Sequence, residues 1–135
     1  MVLFRDADGT RSTERGLYED RVRSIYDGFA AENFSLGVAM VPKPKSEAWL
    51  ICALKPNAYQ NCGALEESLS GNDNAPEPAK EQLEALLAQR GERLGDLPDM
   101  VSNGTIDALR AGMKDMQSFE DFDRRLREVL QMLQR

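Results

Sequence analysis

The sequence predicts an α/β domain, a small parallel βαβ sheet followed by a helical C-terminal half. Two short apolar runs, at residues 2–4 and 34–41, flank a segment whose apolar residues recur at helical spacing. After residue 78 the apolar residues return every three or four positions, with none of the alternation of a strand. A length of 135 residues, 41% hydrophobic and 30% charged, suits one compact domain. The expected division is a βαβ portion over residues 1–56, a loop over 63–78 and helices over 79–135.

The elements follow in order. Val2-Leu3-Phe4 is a brief strand that stops at the turn-rich Asp6-Ala7-Asp8-Gly9-Thr10. From Ser12 or Thr13, the residues Tyr18, Val22, Ile25 and Phe29 form one helical stripe that ends near Glu32-Asn33. Residues 34–41 partly alternate and meet Pro42 and Pro44, which predicts a second strand. Strand, helix, strand makes a βαβ unit with parallel strands. Ser46 as a cap and Glu47 in the first turn favour a helix for the apolar run 48–54. Gly63, Gly71, Asn72, Asp73, Asn74, Pro76 and Pro78 predict a loop, and Pro78 then opens a helix with Leu83, Leu86 and Leu87 on one face and Gly91 as its stop. A further helix is expected over residues 105–113. In the last one, Ser118 and Asp121 resemble a capping box ahead of the stripe Phe119, Phe122, Leu126, Val129, Leu130 and Leu133. Two parallel strands expose two edges, so the expectation is a homo-oligomer or a partner that supplies more strands.

Composition excludes much. The chain has no histidine, which removes histidine acid/base chemistry, Cys-His and Ser-His nucleophiles, and zinc sites with His ligands. Nucleotide-loop, dinucleotide-binding, serine-hydrolase and calcium-loop patterns do not occur. Residues 1–63 hold eight acids and eight bases, whereas residues 64–135 hold fifteen acids and nine bases, so the whole net charge of -6 lies in the second half. Nucleic acid would therefore meet the N-terminal half, where Arg5, Arg11, Arg15, Lys43, Lys45 and Lys55 occur. No apolar run reaches the ~20 residues that a bilayer requires, and the N-terminus has no secretory pattern, so a cytoplasmic protein without membrane contact is expected. Cys52 reads as a small buried hydrophobe, and Cys62 as an unpaired thiol of a loop or helix start in a reducing cytosol. The spacing leaves a disulfide between them open.

Asp6 and Asp8 stand just past a buried strand, at the carboxyl end where α/β ligand sites lie. Two carboxylates and a following glycine suit Mg²⁺ or Mn²⁺, which take oxygen ligands, provided the strand has turned into loop by Asp8. An Asp-Gly turn explains the same residues without a metal. Glu47 follows the second strand by a few residues and falls at the same end of the sheet, although an acidic residue in a helix's first turn needs no function.

Val2-Leu3-Phe4-Arg5-Asp6-Ala7-Asp8-Gly9, then a helix, a strand ending in Val41-Pro42, and Ser46-Glu47-Ala48-Trp49-Leu50 resemble the second half of a Toprim-like domain. The variants most similar are those of bacterial overcoming-lysogenization-defect-type nucleases and small Toprim-like proteins linked to phage defence. The resemblance covers roughly residues 2–56 and rests on short motifs. It implies metal-dependent phosphodiester chemistry on nucleic acid, with Asp6 and Asp8 as metal ligands and Glu47 as a further acidic, catalytic residue. The family's acid/base glutamate sits on an earlier strand, and nothing before Met1 supplies it. The expectation is therefore a start placed too late, a domain split across two polypeptides, or a member that no longer cuts.

Two alternatives stand beside this. Phe4-Arg5-Asp6-Ala7-Asp8-Gly9-Thr10 also resembles the first motif of haloacid-dehalogenase-type phosphohydrolases, with Asp6 as nucleophile and Asp8 as general acid/base. Gly95-Asp96 and Asp99 would be that family's late acidic motif, but no apolar strand precedes them. The second alternative is a non-catalytic accessory whose acidic, leucine-rich C-terminal half binds a partner protein.

Overall fold

In the computed structural model, which describes residues 1–7, 17–69, 76–107, 113 and 115–134, the expected βαβ unit is present. Strands β1 (Val2–Phe4) and β2 (Val38–Met40) are parallel, in the register Val2 to Val38, Leu3 to Ala39 and Phe4 to Met40. The ladder continues past the strands through Arg5 N–H to Met40 O and Ala7 N–H to Pro42 O, each 3.0 Å. Helix α1 (Leu17–Ala31) connects them, and the start expected at Ser12 or Thr13 lies outside the described residues. The second strand is shorter than its apolar run. Asn33, at φ 55°, follows α1, and a turn occupies the next residues before the extended backbone begins at Val38.

Alternation along β2 divides the core in two. Ala39 and Val41 face α1, where Tyr18 and Ile25 are buried with Ala7, and Phe29 lies so close over Gly37 that an added Cβ would fall 2.2 Å from the ring. Val38 faces the larger cluster, with Met40 packed against it. This cluster is built by α2 (Ser46–Leu54), α4 (Ala79–Gln89), α5 (Leu97–Ser102) and α6 (Gln117–Leu133), with a single 3-10 turn at Leu94–Asp96 before α5. Trp49 meets Phe119 edge-on at 5.1 Å between ring centroids and lies 5.7 Å from Phe122. Helix α4 ends as expected at Gly91 (φ 73°), with Glu92 N–H to Leu87 O and Gly91 N–H to Ala88 O closing a Schellman turn.

Four local expectations are corrected. The loop over 63–78 contains a helix, α3 (Gly63–Ser68), while residues 70–75 lie outside the described set. The helix expected over 105–113 does not begin there. Thr105, Ile106 and Asp107 are non-helical because Asn103 folds its side-chain oxygen back onto Thr105 N–H at 2.9 Å, and residues 108–112 and 114 lie outside the described residues. A helix that the sequence did not signal, α5, lies just before this span. Ser46 and Ser118 are not caps but lie within α2 and α6, whose N-caps are Lys45 and Met116. Finally, Cys62 is no free thiol, since a disulfide joins it to Cys52.

The N-termini of α2, α3 and α6 share one device. None is capped by its own N-cap side chain, and each receives a carboxylate distant in sequence. Ser46 N–H donates to Asp6 Oδ1 at 2.9 Å, Gly63 N–H to Asp115 Oδ2 at 3.0 Å, and Ser118 N–H to Glu66 Oε2 at 3.0 Å. A carboxylate there satisfies an orphan donor and meets the positive end of the helix dipole. These bonds tie the end of β1 to α2, and α3 to the start of α6.

The two edges of the sheet differ. On the outer side of β2, Tyr26 Oη accepts Ala39 N–H at 3.1 Å, and the Arg125 guanidinium of α6 donates to Gly37 O at 3.1 Å and Ser35 O at 2.7 Å. Side chains thus do the work of a neighbouring strand. On β1, the parallel ladder turns the backbone groups of Val2 and Phe4 away from β2, and among the described residues no hydrogen bond meets them. The side chains of β1 are not buried as expected but open, with Val2 48%, Leu3 43% and Phe4 52% exposed, because nothing among the described residues covers this edge strand.

Candidate functional site

The parallel arrangement brings the carboxyl ends of both strands to one end of the sheet, and β2 continues through Pro42, Lys43, Pro44 and Lys45 directly into α2. Asp6 lies two residues beyond Phe4 and so projects to the face on which α2 packs. That placement lets its Oδ1 take the Ser46 N–H. The next residue is Glu47, half-buried in the first turn of α2, and its Oε2 accepts the Ser46 hydroxyl at 3.4 Å. Asp6 thus reaches Ser46 from the end of β1, and Glu47, the next residue of α2, bonds the same serine. Asp8 lies outside the described residues.

Positive charge borders this end. Lys43 Nζ lies 3.8 Å from the Glu67 carboxylate and 5.9 Å above the Tyr18 ring. Arg21 Nε donates to Ala7 O at 3.0 Å and anchors the chain beyond β1. Of the other cations expected to face nucleic acid, Arg5 is exposed, Arg11 and Arg15 lie outside the described residues, and Lys55 is committed to Asn57 O and Gln60 O at 3.2 and 2.5 Å.

A second polar cluster, which the sequence did not disclose, lies behind the first. Glu66 is 8% exposed, and its Oε2 accepts both the backbone N–H and the hydroxyl of Ser118. The Ser118 oxygen in turn accepts Trp49 Nε1–H at 2.9 Å. Burial pushes the Glu66 carboxyl above its ordinary range, against the lowering effect of the Ser118 bonds and the Lys43 charge. One turn further along α6, Asp121 Oδ2 accepts the Tyr18 hydroxyl at 2.7 Å. Burial and then that bond raise the Tyr18 phenol far above its usual range, so it stays neutral. Every buried side-chain nitrogen or oxygen among the described residues has a partner, which marks this cluster as a set of structural ties. The one sequence signal for it was Ser118, which reads locally as a cap.

Among the described residues, no group of three or more Cys, Asp or Glu side chains is arranged to hold a metal ion. Asp6 and Glu47 are two such carboxylates, and a hard cation such as Mg²⁺ needs only one or two from the protein when waters and substrate phosphates complete its shell. Asp96 and Asp99, the late acidic pair of the haloacid-dehalogenase reading, stand on the 3-10 turn and α5, where Asp96 Oδ2 accepts Arg93 N–H at 2.8 Å. That placement does not end a strand. No helix among the described residues is long and apolar enough to cross a membrane.

No protein-family model matches the chain, and neither a curated protein nor a solved structure matches it. The resemblance to Toprim-like domains thus rests on the short motifs of residues 2–56 alone.

Proposed function

We propose that this chain carries part of a Toprim-like site for Mg²⁺- or Mn²⁺-dependent phosphodiester chemistry on nucleic acid, in the phage-defence setting that the resemblance implies. The observation that supports it best is that Asp6 reaches the Ser46 N–H, one residue before Glu47, at the carboxyl end of a parallel sheet. Asp6, with Asp8 beside it in sequence, would hold the cation, and Glu47 would add negative charge or accept a proton from a metal-bound water. A cation there would neutralise phosphate oxygens and orient the attacking group. The acid/base glutamate of the family has no counterpart among these residues, so the site would need a further acidic group to be complete.

Calorimetric titration of Mg²⁺ and Mn²⁺ into the wild type, Asp6→Asn and Glu47→Gln tests this. Asparagine keeps an oxygen for the Ser46 N–H, so Asp6→Asn should fold normally and lose the metal. Absence of any binding by the wild type at millimolar metal would remove the proposal.

A second reading is favoured by the open edge of β1. A non-catalytic accessory would offer Val2 and Phe4 to a strand of a partner, with their backbone groups giving affinity and the exposed side chains giving specificity. Metal-dependent cleavage that is lost in Asp6→Asn would exclude this accessory role. Cleavage seen only when a partner protein is added would instead support a split site.

A further inference from the structure

We propose that the Cys52–Cys62 disulfide is a redox latch that governs whether α3 stays docked and Glu66 remains on the N-terminus of α6. Its position suggests this. Cys52 lies on α2, in the centre of the larger core, and Cys62 is the residue from which α3 starts; both are fully buried. Helix α3 is only six residues long, too short to hold itself, and it is attached by the disulfide at its start, the Asp115 carboxylate on Gly63 N–H, Glu66 on Ser118, Lys43 beside Glu67, and the packing of Leu65 and Leu69 in the larger core.

The segment between the cysteines is held against its own preference. Asn57, Tyr59 and Asn61 all have positive φ, at 56°, 66° and 53°. Asparagine tolerates that region, but a bulky residue such as Tyr59 enters it at a cost and stays only where its surroundings hold it. Here Tyr59 N–H donates to Cys52 O at 2.8 Å, the Tyr59 hydroxyl accepts Asp107 N–H at 2.9 Å, and Lys55 Nζ spans Asn57 O and Gln60 O. The disulfide closes this strained loop at its far end. Once the bond is cut, the loop relaxes, α3 moves with it, and the buried carboxylate of Glu66 leaves Ser118 for water.

The chemistry is thiol–disulfide exchange with a dithiol. One thiolate of the reductant attacks a protein sulfur to give a mixed disulfide, and the second closes the oxidised ring and expels the remaining protein thiolate. Two electrons and two protons thereby pass to Cys52 and Cys62. Because both sulfurs are buried, the reductant acts through transient local opening of the chain around them. Nothing in this depends on the metal site.

Hydrogen exchange read by mass spectrometry on the full chain, oxidised and then reduced with dithiothreitol, tests the latch. Alkylation should first show no free thiol in protein treated with oxidised glutathione and two after reduction. Reduction should then speed exchange at least tenfold in peptides covering α3 and the first turn of α6, and leave α1 and α4 unchanged. The double variant Cys52→Ala/Cys62→Ala should show the reduced pattern whether or not dithiothreitol is present. The proposal is overturned by equal protection of α3 and the α6 start in both states, by an even loss of protection across the chain, or by two free thiols after oxidation.

Discussion

Replacing Glu66 separates its work as a helix cap from its cost as a buried acid. Glu66→Ala removes the acceptor of a buried N–H, which costs about 1–3 kcal/mol, and one buried methylene at ~0.8 kcal/mol. The energy recovered by no longer burying a carboxylate offsets part of this. The expected loss is about 1–3 kcal/mol out of the ~5–15 kcal/mol by which domains of this kind are stable. Glu66→Gln keeps an oxygen for Ser118 N–H and should cost about 1 kcal/mol. The pH dependence is more telling. Burial holds the folded carboxyl above its ordinary 4.5, so folding favours the protonated form. The stability this contributes is complete below 4.5 and is lost as pH rises through the folded value. Relative to Glu66→Gln, the wild type should therefore gain stability as the pH falls from neutral towards 4.5. Urea unfolding of both proteins at several pH values measures it. A difference that is flat in pH, or that grows as pH rises, would refute the buried-acid account of Glu66.

Other outcomes follow from the same contacts. Asp6→Ala should cost about 1 kcal/mol by uncapping α2, and Asp6→Asn a few tenths, as read from thermal melts. Tyr26→Phe leaves the buried Ala39 N–H without its acceptor and should cost about 1–3 kcal/mol while raising the exchange rate of that amide; an unchanged rate would show that something else closes the edge of β2. Sedimentation at micromolar concentration should find a dimer of the wild type through β1 and a monomer of Phe4→Lys, because a charge on an edge strand opposes pairing. A wild-type monomer would remove the edge as a self-association surface.

The parts of the fold that could be read from the sequence are those whose cause is local. The stripe Tyr18, Val22, Ile25 and Phe29 fixes α1 by spacing alone, the 83, 86, 87 pattern with Gly91 fixes α4, and proline after residue 41 bounds β2. What could not be read depends on partners far along the chain. Helix α3 lies in a glycine-bounded stretch and is held by Asp115 and by Glu66 on Ser118, each bond spanning 52 residues. Ser118 looks like a cap because serine at a helix start usually is one, yet here its own N–H is the group being capped. The ten-residue spacing of the cysteines was compatible with pairing and with two free thiols, and only the approach of α2 to the start of α3 decides between them. At the candidate site, residue types and the end of the sheet were legible. That Asp6 reaches the Ser46 N–H beside Glu47 was not, because it depends on how β2 turns into α2.

The most direct test of the proposed site is Mn²⁺ binding followed by electron paramagnetic resonance in the wild type and Asp6→Asn, with the fold of each checked by circular dichroism. The expected result is that the wild type takes up Mn²⁺ at or below millimolar concentration, whereas a normally folded Asp6→Asn leaves the signal of the free ion unchanged. Equal uptake by the two proteins, or none by the wild type, would mean that Asp6 serves only as the cap of α2.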